Sequence, residues 1–178
     1  ISLHEIGYYH LDKLKEVLLE TVYLSVPFGD GATVIMSLDG GDGTYVSLHV
    51  AQGAYFQPTS TPSGRLILAF SSEEKFRRII AKGLSQEGPD PIKDLQSLKS
   101  RLELIRTRNF DVSINVSAKM RSGRINLNSI AAPIFDKDNR ICATIGVLTG
   151  LGIEEILSDN FLTPILNCAK DISKSMGS

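Results

Sequence analysis

The stretch from Ser129 to Thr149 constrains the fold more than any other. Ser129 to Phe135 and Ile141 to Thr149 are strongly apolar arms, and Asp136-Lys137-Asp138-Asn139 between them is a turn, so the unit predicts a β-hairpin. Three more runs rich in β-branched and aromatic residues, Thr21 to Val26, Thr33 to Leu38 and Thr44 to Val50, also read as strands. The breaks Phe28-Gly29-Asp30-Gly31 and Asp39-Gly40-Gly41-Asp42-Gly43 are turns joining antiparallel neighbours. Phe110 to Val116 alternates and reads as another strand, whereas Ser117 to Asn128, with Lys119, Arg121 and Arg124, reads as an exposed loop.

Helical spacing brackets and interrupts these strands. Leu3, Ile6, Leu11, Leu14, Val17 and Leu18 predict a first amphipathic helix. Thr61 is a natural N-cap and Pro62 a natural first residue for a short apolar helix reaching Phe70. Ser71 and Glu74 form a candidate capping box for a helix that stops near Gly83. Asp94 can cap the next, whose Leu95, Leu98, Leu102 and Ile105 make an apolar stripe and whose end falls at a left-handed Asn109. A short segment from Ile153 to Leu157 precedes a last helix from about Thr163, with Pro164 in its first turn. The prediction is an α+β domain: an antiparallel sheet of five or six strands with helices inserted and at both ends.

Composition excludes several functions. A chain of 178 residues suits one domain, and 19 Lys plus Arg against 20 Asp plus Glu give no global field to attract nucleic acid or anionic lipid. Cys142 and Cys168 lack metal-ligand spacing and read as buried free thiols of a reducing, cytoplasmic compartment. No stretch approaches the ~18 apolar residues of a membrane helix. The chain begins at Ile1, which predicts that it is cut from something longer.

No catalytic constellation emerges. His4 and His10 fall in the first helical region, and His49 alternates with Val46, Leu48 and Val50 as a structural or polar-face residue rather than a general base. Asp136, Asp138 and Asn139 lack the Gly and Glu that would complete a calcium loop. Neither an enzyme, a metal nor a cofactor is expected. Pro62, Ser63 and Gly64 set small side chains and free N–H groups at a helix start, which suits an anion or merely caps the helix.

Three segments in order resemble the C-terminal effector-binding domain of the IclR family of transcription regulators. Phe56-Gln57-Pro58-Thr59-Ser60-Thr61-Pro62-Ser63-Gly64-Arg65 is similar to that family's Leu-Pro-Leu-His-Ala-Ser/Thr, two small residues and Gly-Lys. Asn109-Phe110 stands where the family has Gly-Tyr, and Ser129-Ile130-Ala131-Ala132-Pro133-Ile134-Phe135-Asp136 matches its Ala-Ala-Pro run, followed by Gly146-Val147. The resemblance implies a GAF-like fold and a small-molecule effector, a small organic acid in relatives. It also implies a homodimer or homotetramer, with DNA bound only through a winged helix-turn-helix upstream. Residues 1–9 would end the connection to that domain, and 10–178 would be the effector-binding domain. The resemblance assigns ligand contacts to Pro62, Ser63, Gly64, Ser113, Ser129, Val147 and Thr149, with Leu148 competing for the place of Thr149.

Thr59 replaces the family's frequent His, Arg65 its Lys, and no charged side chain is expected among the contacts. Neutral hydrogen bonds of about 1 kcal/mol each then predict micromolar to millimolar affinity for an acid, or a larger apolar ligand. Two alternatives remain open on sequence alone: a GAF-like sensor module of a signalling enzyme, and a ligand-free assembly domain.

Overall fold

The computed structural model describes residues 2–41, 48–120 and 123–178, with backbone alone at 115–120 and 123–126. Helix α1 (Leu3–Leu18) leads into β1 (Thr21–Phe28), β2 (Gly31–Leu38) and the short β3 (Tyr55–Phe56). Helices α2 (Pro62–Ala69), α3 (Glu73–Ala81) and α4 (Leu95–Arg108) come next. Then follow β4 (Asp111–Met120), β5 (Gly123–Phe135), β6 (Ile141–Thr149), α5 (Ile153–Ile156) and α6 (Asp159–Ser175). The six strands form one antiparallel sheet in the order β3-β2-β1-β6-β5-β4.

Local chemistry sets the element ends. Ser2 and Glu5 close a reciprocal capping box on α1, Asp94 accepts the Ser97 N–H at the start of α4, and Asn109 ends α4 at φ 61°. The β5–β6 turn is held by Asp136 Oδ1, which accepts from the N–H groups of Asp138 and Arg140, with Asn139 at φ 58°.

The sheet is covered on both faces. One face packs Val22, Leu24, Val112, Ile130, Ile134, Ile145 and Val147 against Leu11 and Leu14 of α1 and Phe161, Ile165 and Ile172 of α6. Each such side chain contributes about 1.5–3 kcal/mol by leaving water. Gly7 lets α1 approach, because a Cβ there would lie 2.8 Å from Leu24 Cδ2. The other face holds a smaller cluster of Leu66, Leu68, Ile79, Leu98, Leu102, Ile105 and Ala131 under α2 and α4.

Several expectations are corrected. Residues 117–120 and 123–128, expected as loop, are strand, while 121 and 122 lie outside the described residues: β4 runs to Met120 and β5 starts at Gly123, with Met120 opposite Gly123 and Lys119 opposite Arg124. Backbone pairing does not require apolar side chains, so a polar Ser/Lys/Arg/Gly run can extend a hairpin that composition assigns to solvent. Of the third expected strand, 44–47 lie outside the described residues, 48–50 carry no regular structure, and β3 forms instead at Tyr55–Phe56. Ser72 rather than Ser71 caps α3, since Ser71 donates to the Leu68 carbonyl at the end of α2. Helix α6 starts at Asp159, four residues early, and carries Pro164 inside. Leu95 and Val17, expected on apolar stripes, are 40% and 66% exposed.

Burial decides the cysteines. Cys168 lies in the core between α6 and α1, with its Sγ near the His10 carbonyl, and burial pushes its thiol up to about 12. Half-buried Cys142 is pushed up to about 11. Thiolate is the reactive form, so iodoacetamide at pH 8 is expected to leave both unmodified in the folded chain and to label both in urea, as read by intact mass.

Candidate functional site

Strand periodicity aligns polar side chains on the α2 face of the sheet. Along β1, Tyr23 and Ser25 alternate with Val22 and Leu24, which face α1 and α6. Registers then place Ser113, Ser129, Leu148 and Thr21 opposite one another across β4, β5, β6 and β1. A second row holds Asp111, Ala131, Gly146 and Tyr23, and a third runs from Pro133 through Thr144 to Ser25.

Helix α2 lies over these rows. Thr61 caps it, accepting the Gly64 N–H at 3.1 Å and donating to the Gln57 carbonyl at 2.8 Å. Gly64 is required by close packing: a Cβ there would fall 2.0 Å from the Gln57 carbonyl oxygen. Ser63 is fully buried, and Thr144 donates to its Oγ at 2.9 Å while sharing a 2.6 Å hydrogen bond with Ser25. Burial pushes the Tyr23 phenol up to about 12, a hydrogen bond with Ser63 opposing the rise.

The centre of the face is charged, against expectation. Arg65 has no exposed surface and spends all five N–H groups. Its Nε donates to Asp111 at 2.5 Å, and Nη1 to the Thr59 and Asp90 carbonyls. Its Nη2 donates to Asp90 Oδ2 at 3.2 Å and to Ser113 Oγ at 2.8 Å. Asp111, also fully buried, accepts in addition from Arg101 and Arg108 at 3.1 Å each. Half-burial lowers the Arg108 pKa, and neighbouring Asp111 counters it. An arginine one residue after a helix's small-residue start reads as solvated from sequence, and its burial needs partners from β4 and the 88–91 segment.

The structure brings Pro62, Ser63, Gly64, Ser113 and Ser129 to one face. Val147 is fully buried among the residues facing α1 and α6, beside Ile130 and Val22. Thr149 is buried too, donating to Glu20 at 2.8 Å and accepting the Leu151 N–H. On β6 the α2 face belongs to Thr144, Gly146 and Leu148. Sequence reading does not single out Tyr23, Asp90, Asp111 and Thr144, although alternation in β1 and the lone acid heading the alternating strand β4 are available signals. Thr59 Oγ1 and Ser60 Oγ, buried at the approach to α2, have no hydrogen-bond partner among the described residues.

Glu20 gives a pH test of the Thr149 contact. Half-burial raises its pKa, the Thr149 hydroxyl opposing. A raised carboxyl pKa means stability present in acid and lost as pH rises through the folded value. Glu20→Gln is therefore expected to stabilise the chain at neutral pH relative to wild type, the gain vanishing toward pH 4 in paired urea titrations.

His49 is an exposed residue whose Nδ1 lies 2.9 Å from Asp39 Oδ1. No group of three or more His, Cys, Asp or Glu suited to a metal occurs among the described residues, and no described helix is long and apolar enough to cross a membrane.

Comparison with known proteins gives a consistent picture. The family model for the C-terminal region of the bacterial transcriptional regulator IclR matches residues 2–174. A Pca regulon regulatory protein of Pseudomonas putida is 24% identical over 166 residues, covering 92% of this chain and 55% of the relative. The chain thus spans about half the length of that curated relative. Among solved structures, the IclR of Thermotoga maritima superposes with a TM-score of 0.83 at 24% identity, covering 100% of this chain and 70% of that one. The C-terminal domain of the Escherichia coli regulator KdgR gives 0.79 at 18% identity, with full coverage of both chains.

Proposed function

From the premise that this chain belongs to the IclR C-terminal family of bacterial transcriptional regulators, we propose that it is the effector sensor of such a regulator. In this reading a small organic acid binds on the α2 face, against Pro62, Ser63 and Gly64 and toward Ser113 and Ser129. On β6 the contacts fall to Leu148 and Thr144, which face α2, in place of Val147 and Thr149, which face the α1/α6 side.

The observation that carries this reading is the meeting of a capped helix start with a row of hydroxyls on one buried face. A helix N-terminus favours an anion through its dipole, and since Pro62 has no N–H and Thr61 takes that of Gly64, the donor left in the first turn is the Ser63 N–H. The cluster beside it sets three guanidiniums, of Arg65, Arg101 and Arg108, against two carboxylates, of Asp90 and Asp111, leaving the region net positive. The hydroxyls of Thr59 and Ser60, without a hydrogen-bond partner among the described residues, supply further groups able to bond a ligand.

Coupling follows from linkage. An effector that binds one subunit arrangement better than another shifts a homodimer or homotetramer by its differential affinity, and DNA readers joined through residues 1–9 shift with it. The family's members are regulators, not enzymes, and nothing in this reading requires a cofactor.

The test is thermal denaturation of the chain with small mono- and dicarboxylic acids at millimolar concentration, each beside its neutral amide. A ligand at a hundred times its dissociation constant stabilises by about 2.7 kcal/mol. At least one acid should raise the melting temperature and shift the sedimenting species, and Ser129→Val should reduce both effects. Stabilisation by no acid, or equally by the amides, contradicts the reading and leaves an assembly domain.

A further inference from the structure

A cavity lies apart from the α2 face, where the sheet's edge is left open. The left-handed Asn109 turns the chain from α4 into β4 so that Asp111 pairs with Ala131. Beyond that pair, Ala132 to Phe135 of β5 are bonded to β6 but have no β4 partner. The space where β4 would have continued is a cavity of about 300 Å³ closed by the C-terminal turns of α6.

Its floor is apolar: Ala132, Pro133 and Phe135 on the strand, Leu166 and Ala169 on the helix. Phe70 packs edge-on against Phe135 at 5.1 Å and fixes that ring. Its rim carries Arg108 on one side and Lys170 and Lys174 on the other, Ser178 also borders it, and no Asp or Glu side chain among the described residues lines it. Lys170 and Lys174 stand four apart on α6, where like charges repel, and neither has a carboxylate partner among the described residues. Arg108 uses Nε on the Phe110 carbonyl and Nη2 on Asp111, and its Nη1 has no partner among the described residues.

The open edge is poorly suited to an added strand. Pro133 has no N–H, and the Phe135 N–H already donates to Ser173 Oγ at 2.9 Å, so a pairing strand would lack donors at both positions. A small ligand fits the chemistry better.

We propose that this cavity is a second ligand site, taking a small anion with an apolar body such as an aromatic carboxylate. The ring would lie on Pro133, Phe135 and Leu166, and the carboxylate would face Lys170, Lys174 and the free edge of Arg108. Charge-assisted hydrogen bonds of this kind are the stronger class, and the rim's mutual repulsion falls when an anion enters.

Benzoate is the probe, with benzamide as its neutral counterpart, followed by backbone amide NMR of the 178-residue chain. Saturable benzoate shifts are expected at Phe135, Ala169, Ser173 and Lys174. Charge reversal at two exposed helix positions, Lys170→Glu with Lys174→Glu, should weaken benzoate binding at least about tenfold, with at most a modest fall in melting temperature from placing Glu in the last turn of α6. A single Lys174→Gln change should give an intermediate loss. Benzamide binding as tightly as benzoate overturns the anion site, as do benzoate shifts confined to Ser63, Ser113 and Ser129. Cavity shifts that depend on protein concentration without benzoate also overturn it and assign the surface to a second copy. Failure here leaves the α2 reading intact, because the two sites share no proposed contact residue.

Discussion

Asp111→Ala is expected to lower the unfolding free energy by about 3–5 kcal/mol, the range for breaking a buried ion pair from one side. Asp111 and Arg65 are both fully buried, and Asp111 is the acceptor common to Arg65, Arg101 and Arg108. Its removal leaves Arg65 in the interior with Asp90, itself a third exposed, as its remaining carboxylate. Arg101 and Arg108 can relax toward water, since their side chains are 30% and 25% exposed, so most of the loss falls on Arg65. Urea unfolding at neutral pH reads the effect. The double change Arg65→Met with Asp111→Leu should recover much of it, because removing both charges also removes their desolvation cost. A loss below about 1 kcal/mol for Asp111→Ala would place the pair in the class of solvent-screened surface bridges.

Gly146→Ala is expected to cost about 1–3 kcal/mol, the usual range for overpacking a filled interior. Gly146 lies opposite Tyr23 across the β1–β6 pair, and the tyrosine ring lies over it: an added Cβ would meet Tyr23 Cζ at 2.0 Å. Tyr23 is 3% exposed and packs edge-to-face on Phe56 at 5.5 Å, so the ring has little room to yield. Combining Gly146→Ala with Tyr23→Ser should leave a total loss smaller than the sum of the two single losses, since the clash requires both side chains. Strict additivity would mean that the ring moves aside freely. The same pair matters to the α2 face, where displacement of Tyr23 would also disturb its hydrogen bond with Ser63.

Much of this architecture is legible before any coordinates. The β5–β6 hairpin is readable because its arms are apolar and Asp136 and Asn139 carry the turn chemistry. Helix α4 is readable because Asp94 and Asn109 are end signals, and α2 because Thr61-Pro62 is one. What fails does so for identifiable reasons. Strand β6 is buried on both faces, so its residues lack the apolar/polar alternation that tells one side from the other. Val147 and Thr149 therefore fall on the α1/α6 side, while Thr144, Gly146 and Leu148 face α2. The β4–β5 extension is hidden because backbone pairing leaves little trace in a polar run. The Arg65 cluster is hidden because its partners, Asp90, Asp111 and Ser113, are 25, 46 and 48 residues away. Only the folded sheet brings them together.

Hydrogen–deuterium exchange of the chain, with and without whichever carboxylic acid stabilises it most, locates the effector directly. A site on the α2 face predicts added protection at 59–66, 111–114 and 127–131, and along 144–149, with Ser129→Val reducing all of it. Protection absent from these segments, or confined to 132–135 and 166–174, would contradict an effector site at the start of α2.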